Sequence, residues 1–455
     1  MQGFLLAPIA AAMLMQQPAP ASPSLDFEFF KTRVQQIFTT KRTGNSKCVS
    51  CHVTGTPMRL QPLAAGSGTW SEEDSRKNFD VIRARVIAGN PQKSKLLTHP
   101  LAVTAGGDPH HDGGKHWKSQ DDPEFQMLEA WVRGEKLTPA PMKPRIIQTN
   151  AAGDNVHLID PATNRVVGEI TGIEVGHGAA AAADGSQIYV SNEAENTLDV
   201  VNSRTLRVTS KVPLSGHPNN ISISKDGRRV YIAIRETQGV VDVVDTVALK
   251  KVKSIPIKGA VHNTYVTPDG KYVVAGSIAG RSLTVIDQRT EEPAWEMIFD
   301  LGVRPMTFET NPDGSTKRIF VQLTEVNGFA VVDFATRKET ARIENPKLGP
   351  GKTPVLEGGN ASHGMAVTPD GKVLVVCSRL NSALYLYSLP DLKLLAGVDV
   401  GRSPDWVTIS PDGKAAYVAN AGSNNVSVVD IKSMKEVTKI PVGQVPKRNI
   451  TAMLQ

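Results

Sequence analysis

At 455 residues the chain is too long for one ordinary domain. An apolar content of 40% supports a sizeable core, while 5% aromatics with 38 glycines and 30 prolines suit a turn-rich β protein. The formal charge of +6 is dispersed without a long basic run, which argues against nucleic acid and gives only a general pull towards an acidic partner.

Phe4 to Met15 is an apolar run too short to span a bilayer, and Ala19-Pro20-Ala21 follows it as a small-x-small cleavage pattern. Residues 1–21 are therefore expected to be a signal peptide, with an uncleaved anchor as the alternative; no Lys or Arg precedes Lys31. No later segment is apolar enough to cross a membrane, so the mature chain is expected to be periplasmic or otherwise exported, without a transmembrane segment.

Residues 22–134 read as a small all-α domain. Phe27, Phe30, Val34 and Phe38 recur at helical spacing. A second helix is expected from an N-cap at Ser71, with Asp74 three residues on, to Gly89. A third runs from Asp122-Pro123 through Phe125, Leu128 and Val132 to Gly134. Between the first two lies Cys48-Val49-Ser50-Cys51-His52. Two thiols at this spacing can add to the two vinyl groups of one haem, and the adjoining imidazole then faces the iron. A redox dithiol does not need the histidine, and a zinc ribbon needs a second cysteine pair, which the sequence lacks. The third cysteine, Cys377, sits in a strand-like run and reads as a buried structural thiol.

The expected cofactor is thus one covalent haem c on Cys48 and Cys51, with His52 as the proximal iron ligand. Met58, His99, His110, His111 and His116 are the candidates for the distal position, His111 first and His99 second. The segment with His99-Pro100-Leu101, His111-Asp112-Gly113-Gly114 and Trp131 resembles the cytochrome c domains of planctomycete and acidobacterial proteins. That resemblance implies a helical fold around a haem, and glycines beside His111 would let the backbone approach the haem face.

Residues 135–144 form a proline-rich linker, and 145–455 carry a repeat of about 40 residues, a propeller-scale period. Its turns are Asp184-Gly185, Asp226-Gly227, Asp269-Gly270, Asp313-Gly314, Asp370-Gly371 and Asp412-Gly413, each followed by a β-branched or aromatic run. Counting gives seven blades. The repeat opens on a second strand, "RIIQTN", and ends on a first strand, "VPKRNITAML", so the C-terminal strand should complete the first blade. Units such as "SPDGKAAYVANAGSNNVSVVD" resemble YVTN-type β-propeller repeats, which specify architecture rather than function.

Seven residues before each turn aspartate stand His177, Asn219, His262, Met306, His363 and Asp405, with Lys447 as the rough equivalent in the last unit. These positions are expected in loops at the channel mouth. His177, His262 and His363 are candidate ligands for a metal or second haem there, against the alternative of a water-filled polar rim. The Gly/Pro-rich loop 344–361 is long enough to cover such a site. A haem c domain joined to a propeller resembles the cytochrome cd nitrite reductases, although those have eight blades. The reading is an exported monohaem cytochrome in electron transfer with a redox partner protein, an oxidoreductase if the mouth holds a second centre. The alternatives are a propeller that binds a protein or ligand without catalysis, and a lactonase-like hydrolase.

Overall fold

The computed structural model describes residues 23–42, 44–64, 69–136, 141–349, 353–355 and 360–455. The expected signal peptide therefore lies outside the described residues, as does much of the 344–361 loop. The chain divides into two compact units between residues 138 and 139. No described helix is long and apolar enough to cross a membrane.

The first unit is helical. Phe27–Phe29, Phe30–Val34 and Gln35–Thr39 form one continuous helical stretch, the middle section in π geometry. Its apolar positions bury Phe30, Val34, Ile37 and Phe38, and Phe30 packs against the fully buried Trp131. The second helix starts as expected, the Ser71 hydroxyl accepting from the Asp74 N–H, but it ends at Arg83 rather than Gly89. The chain turns away there because the Ser94 hydroxyl takes up the Ile87 N–H and the Gly89 N–H bonds to the Val132 carbonyl. Pro123–Val132 is capped by Asp122 with Pro123 at its first position, and Gly134 follows with φ +88°.

The second unit is a seven-bladed β-propeller, each blade a four-stranded antiparallel sheet. Blade 1 contains Lys143–Asn150, Asn155–Asp160 and Arg165–Thr171, and is completed by Pro446–Leu454. Blades 2 to 7 follow as 176–213, 218–256, 261–298, 303–344, 362–399 and 404–441. The first strand begins at Lys143, so the last two residues assigned to the linker belong to the blade. The closing strand pairs with the start of the propeller at Ile147 with Ile450 and Gln148 with Asn449. Joining the two ends of the chain in one sheet removes an open seam.

The blade pattern follows from the sequence. Each Asp-Gly turn joins the first and second strands, the glycine at positive φ and, as at Asp184, the carboxylate accepting the N–H two residues on. Second strands such as Arg229–Ile234 are buried almost throughout, covered on both faces by neighbouring blades. Fourth strands such as Arg207–Pro213 and Lys250–Pro256 are mostly exposed and carry charges, among them Arg207, Lys211, Lys250 and Lys251, which discourages edge-to-edge pairing. Cys377 is fully buried, and burial pushes its thiol well above the usual range.

Candidate functional site

The helical unit holds the first candidate site. Cys48–His52 is a single helical turn, which places Cys48 and Cys51 three residues apart on one face. Both cysteines and His52 line a cavity of about 470 Å³. Ile37, Phe38, Leu96, Trp117 and Leu128 supply apolar wall. Cys48 is partly buried, which raises its thiol pKa against the lowering effect of Arg42, and Cys51 is exposed.

The imidazoles of this cavity are oriented by the backbone. His52 Nδ1 donates to the Met58 carbonyl at 3.0 Å, with the Thr56 hydroxyl 3.1 Å away, so its Nε2 keeps a free lone pair. Burial lowers the pKa of His52, favouring the neutral ligand form. His111 Nδ1 donates to the Gly114 carbonyl at 2.5 Å, freeing its Nε2 in the same way. The His52 and His111 rings lie 6.4 Å apart with planes inclined by 17°. A Cβ on Gly113 would stand 3.0 Å from His111 Cε1, so the glycine lets the ring sit where it does.

The other distal candidates are placed differently. His99 also lines the cavity, but its ring packs on His111 at 6.3 Å and its Nδ1 pairs with Asp108 at 2.5 Å. His116 packs edge-on against His111 at 6.0 Å. Met58 is in the wall and contributes its carbonyl to His52, whereas His110 is exposed and outside the cavity lining.

The propeller mouth holds the second site. The expected ring of residues lies within the innermost strands, at their second positions, rather than in loops. All seven innermost strands carry a register shift at this point, so the same distortion presents one side chain per blade. Blade 5 corrects the sequence reading. Its innermost strand, Val303–Thr310, is longer, and the second position is Arg304, while Met306 is buried in the core with Val274 and Val321. Counting back from the turn slipped by two residues because a second irregularity falls between Glu309 and Thr310.

His177, His262 and His363 do share one cavity, of about 230 Å³. The rings of His262 and His363 meet edge to face at 5.6 Å. His177 Nδ1 donates to Glu193 at 2.9 Å, and His363 Nδ1 donates to the Asp405 backbone carbonyl at 2.8 Å. Burial pushes His177 down to about 4 against the pull of Glu193, with Arg448 and Lys447 adding to the effect, and burial also holds His262 and His363 well below the usual range. Asp405 is fully buried; burial opposes its ionisation, but Lys447, His363 and Arg379 hold its carboxyl far below the usual carboxylate range. Lys447 Nζ lies 3.1 Å and Arg379 Nη1 3.2 Å from its oxygens.

The sequence reading missed the residues that follow the second strands. Glu193 and Arg235 both join the mouth from that position, and Arg379 backs Asp405. Aligning the repeats one residue beyond each second strand would have found them. It also missed Arg448, buried beneath the ring, which donates to Asn219 Oδ1 at 2.6 Å and stacks over Trp406 at 4.1 Å. Among the described residues, no three of His, Cys, Asp and Glu are arranged to hold a metal ion.

With this geometry in place, the known proteins can be compared. The family model described as lactonase, seven-bladed β-propeller, matches residues 257–441, which span blades 4 to 7. No curated protein matches the chain. Among solved structures it is similar to a hydrazine synthase chain of Kuenenia stuttgartiensis, with 24% identity, 64% of this chain and 96% of that one covered, and a TM-score of 0.56. A periplasmic gluconolactonase of Pseudomonas aeruginosa is similar at 19% identity over 69% of this chain and all of that one, 100%, with a TM-score of 0.55. The dihydro-haem d1 dehydrogenase NirN is similar at 14% identity over 77% of this chain and 80% of that one, with a TM-score of 0.51. The chain therefore carries a seven-bladed propeller that resembles those of lactonases.

Proposed function

We propose that this chain is an exported monohaem c-type cytochrome that moves single electrons to or from a partner protein. The observation that carries the reading is a pair of near-parallel imidazoles lining one largely apolar cavity, both with Nδ1 engaged by a backbone carbonyl, next to two cysteines on one helical face. Cys48 and Cys51 would hold the porphyrin by thioether bonds, and His52 and His111 would supply nitrogen ligands to its iron. When bound, the haem supplies one-electron redox chemistry. The chain's own part is to fix ligand orientation through the Met58 and Gly114 carbonyls and to keep the site dry with Phe38, Trp117 and Leu128. An apolar leader in the sequence supports export, where thiols are spared cytosolic reduction.

The test is covalency. Chain produced in a host that attaches haem c should keep its pigment through denaturation and acid–acetone extraction, and Cys48→Ala or Cys51→Ala should lose most covalent haem. Pigment that leaves the polypeptide, or a colourless chain from a competent host, overturns the reading.

A second reading has its own support, the family match over blades 4 to 7 and the buried His177–Glu193 pair. With Nδ1 engaged by a carboxylate, His177 Nε2 is a lone pair without a partner, placed to accept a hydrogen bond from a water in lactone hydrolysis. Steady turnover of lactones that is abolished by His177→Gln would favour this reading for the propeller. The fold itself does not choose, since the similar structures include a lactonase and a dehydrogenase.

A further inference from the structure

The charge distribution of the propeller mouth points to a ligand different from a metal ion. Arg235, Arg304 and Lys447 all line the cavity, and among the described residues no carboxylate does. The two acids nearby stand behind its wall and are already engaged, Glu193 by His177 and Arg235, and Asp405 by Lys447 and Arg379. Arg304 has no carboxylate within ion-pair distance among the described residues, and its Nε donates only to the Thr324 hydroxyl at 3.2 Å. Burial lowers its pKa to about 10, so it stays charged at neutral pH. A cation entering this space would meet the uncompensated charge of Arg304 and the partly offset charges of Arg235 and Lys447, whereas an anion would be attracted by the net positive wall.

The neutral groups define the rest of the ligand. Asn219 is fully buried and lines the cavity, and its Nδ2 has no hydrogen-bond partner while its Oδ1 is held by Arg448. That orientation leaves an amide donor for an oxyanion. The Nε2 of His177 is likewise buried and unpartnered, and its Nδ1 proton is committed to Glu193, so it offers a lone pair. His363 also has its Nδ1 proton committed, to the Asp405 carbonyl, which leaves the lone pair on its Nε2. Buried polar atoms without partners are costly, and a bound ligand is one way to satisfy them. We infer that the mouth binds a small oxyanion that also carries an O–H donor. Its charge would face Arg304, Lys447 and Asn219, and its hydroxyl would face the imidazoles. Hydroxycarboxylates and hydrogen phosphate share this chemistry, and a volume of about 230 Å³ admits either. The inference stands on the mouth alone and depends on neither reading above.

Calorimetric titration of the full chain at constant ionic strength tests it, with sodium glycolate and inorganic phosphate as probes, acetate lacking the hydroxyl, and uncharged acetamide as control. The expected result is one saturable site for glycolate or phosphate, which says which source fits. Glycolate should bind at least threefold tighter than acetate if it is the better fit, acetamide should not bind, and Arg304→Gln should weaken binding at least tenfold. Should Arg304→Gln fail to fold, Arg235→Gln serves, since that side chain is 47% exposed. The proposal is overturned if neither anion saturates, if acetamide binds as well, or if affinity is unchanged in the folded variant. Stoichiometric zinc binding abolished by His262→Leu also overturns it, in favour of a metal.

Discussion

The helical cavity and the propeller mouth both gather histidines around a hollow, and they prepare them for different partners. In the helical cavity, backbone carbonyls hold the Nδ1 atoms of His52 and His111, the rings are near parallel, and much of the wall is apolar. In the mouth, His262 and His363 meet edge to face, and three cations line the same space. Equal residue types therefore say little by themselves. What separates the sites is which nitrogen is engaged, how the rings face, and the sign of the surrounding charge.

The comparison requires a closed propeller, because Lys447 reaches the mouth from the closing strand and Arg448 lies beneath it. Removing residues 446–454 should give the largest effect. It strips Ile450, Ala452 and Leu454 from the first blade and exposes the edge of Lys143–Asn150. Losing a buried side chain the size of Leu454 costs about 2–5 kcal/mol, and Ile450 and Ala452 add to it, against a total stability of about 5–15 kcal/mol for a typical domain. The truncated propeller should lose its cooperative unfolding transition and become protease-sensitive. An equally resistant truncated chain would show that the strand is only a tail.

Next in size is an exchange of roles between histidines. In the haem-loaded form proposed above, His111→Ala should convert a low-spin spectrum into that of a haem that readily binds cyanide or carbon monoxide, with affinity raised more than tenfold. His99→Ala should have a smaller effect, since His99 packs behind a neighbouring ring and is held by Asp108. His363→Ala should leave the haem spectrum unchanged. A haem that responds to His99→Ala and ignores His111→Ala would reverse the assignment.

Much of this was legible before the structure. The Asp-Gly turns and β-branched runs gave the blades, and the closing strand was readable because a first strand was missing from one end and present at the other. Cys48, Cys51 and His52 were singled out by a spacing that suits haem attachment, and all three line one cavity. His111 was ranked first on the strength of its glycines, and Gly113 and Gly114 do shape its surroundings. The ring at the mouth was legible in six blades and failed in the fifth, where an irregular strand moved the register and put Arg304 where Met306 was expected. Glu193 and Arg235 needed an alignment of the repeats one residue beyond each second strand, whereas Arg448 and its partners Asn219 and Trp406 were invisible for another reason. Their role depends on what lies across the channel, and sequence spacing carries no information about that.

A third effect separates the sites by acid. Burial holds His177 near 4, whereas an unfolded histidine titrates near 6.5. As pH falls below about 6.5 the unfolded chain takes up the proton first, so the contribution is complete above that pH and is lost between about 6.5 and about 4. For one such histidine the loss is about 3 kcal/mol, and His262 and His363 shift in the same direction. Urea midpoints of the propeller transition should fall between pH 7 and pH 5, and less so in His177→Asn. A flat profile would mean that the mouth admits protons without strain.

The smallest expected effect probes how finely the helical cavity sets its ring. Gly113 is exposed and its backbone does not need a positive φ, so alanine is acceptable to the chain itself. Its methyl would, however, stand 3.0 Å from His111 Cε1, closer than carbon atoms rest comfortably. The imidazole must yield by a few tenths of an ångström while the Gly114 carbonyl still holds its Nδ1. Gly113→Ala should therefore keep the haem low-spin and the stability within about 1 kcal/mol of the parent. The ring's orientation should change, read as a shift in the paramagnetic resonance signals of the oxidised haem. The same substitution at Gly114 meets a backbone at φ +78° and should cost more stability, because a Cβ is strained there whatever the space around it. Identical resonance spectra for the parent and Gly113→Ala would place His111 away from the iron, and the distal position would pass to His99 or His116.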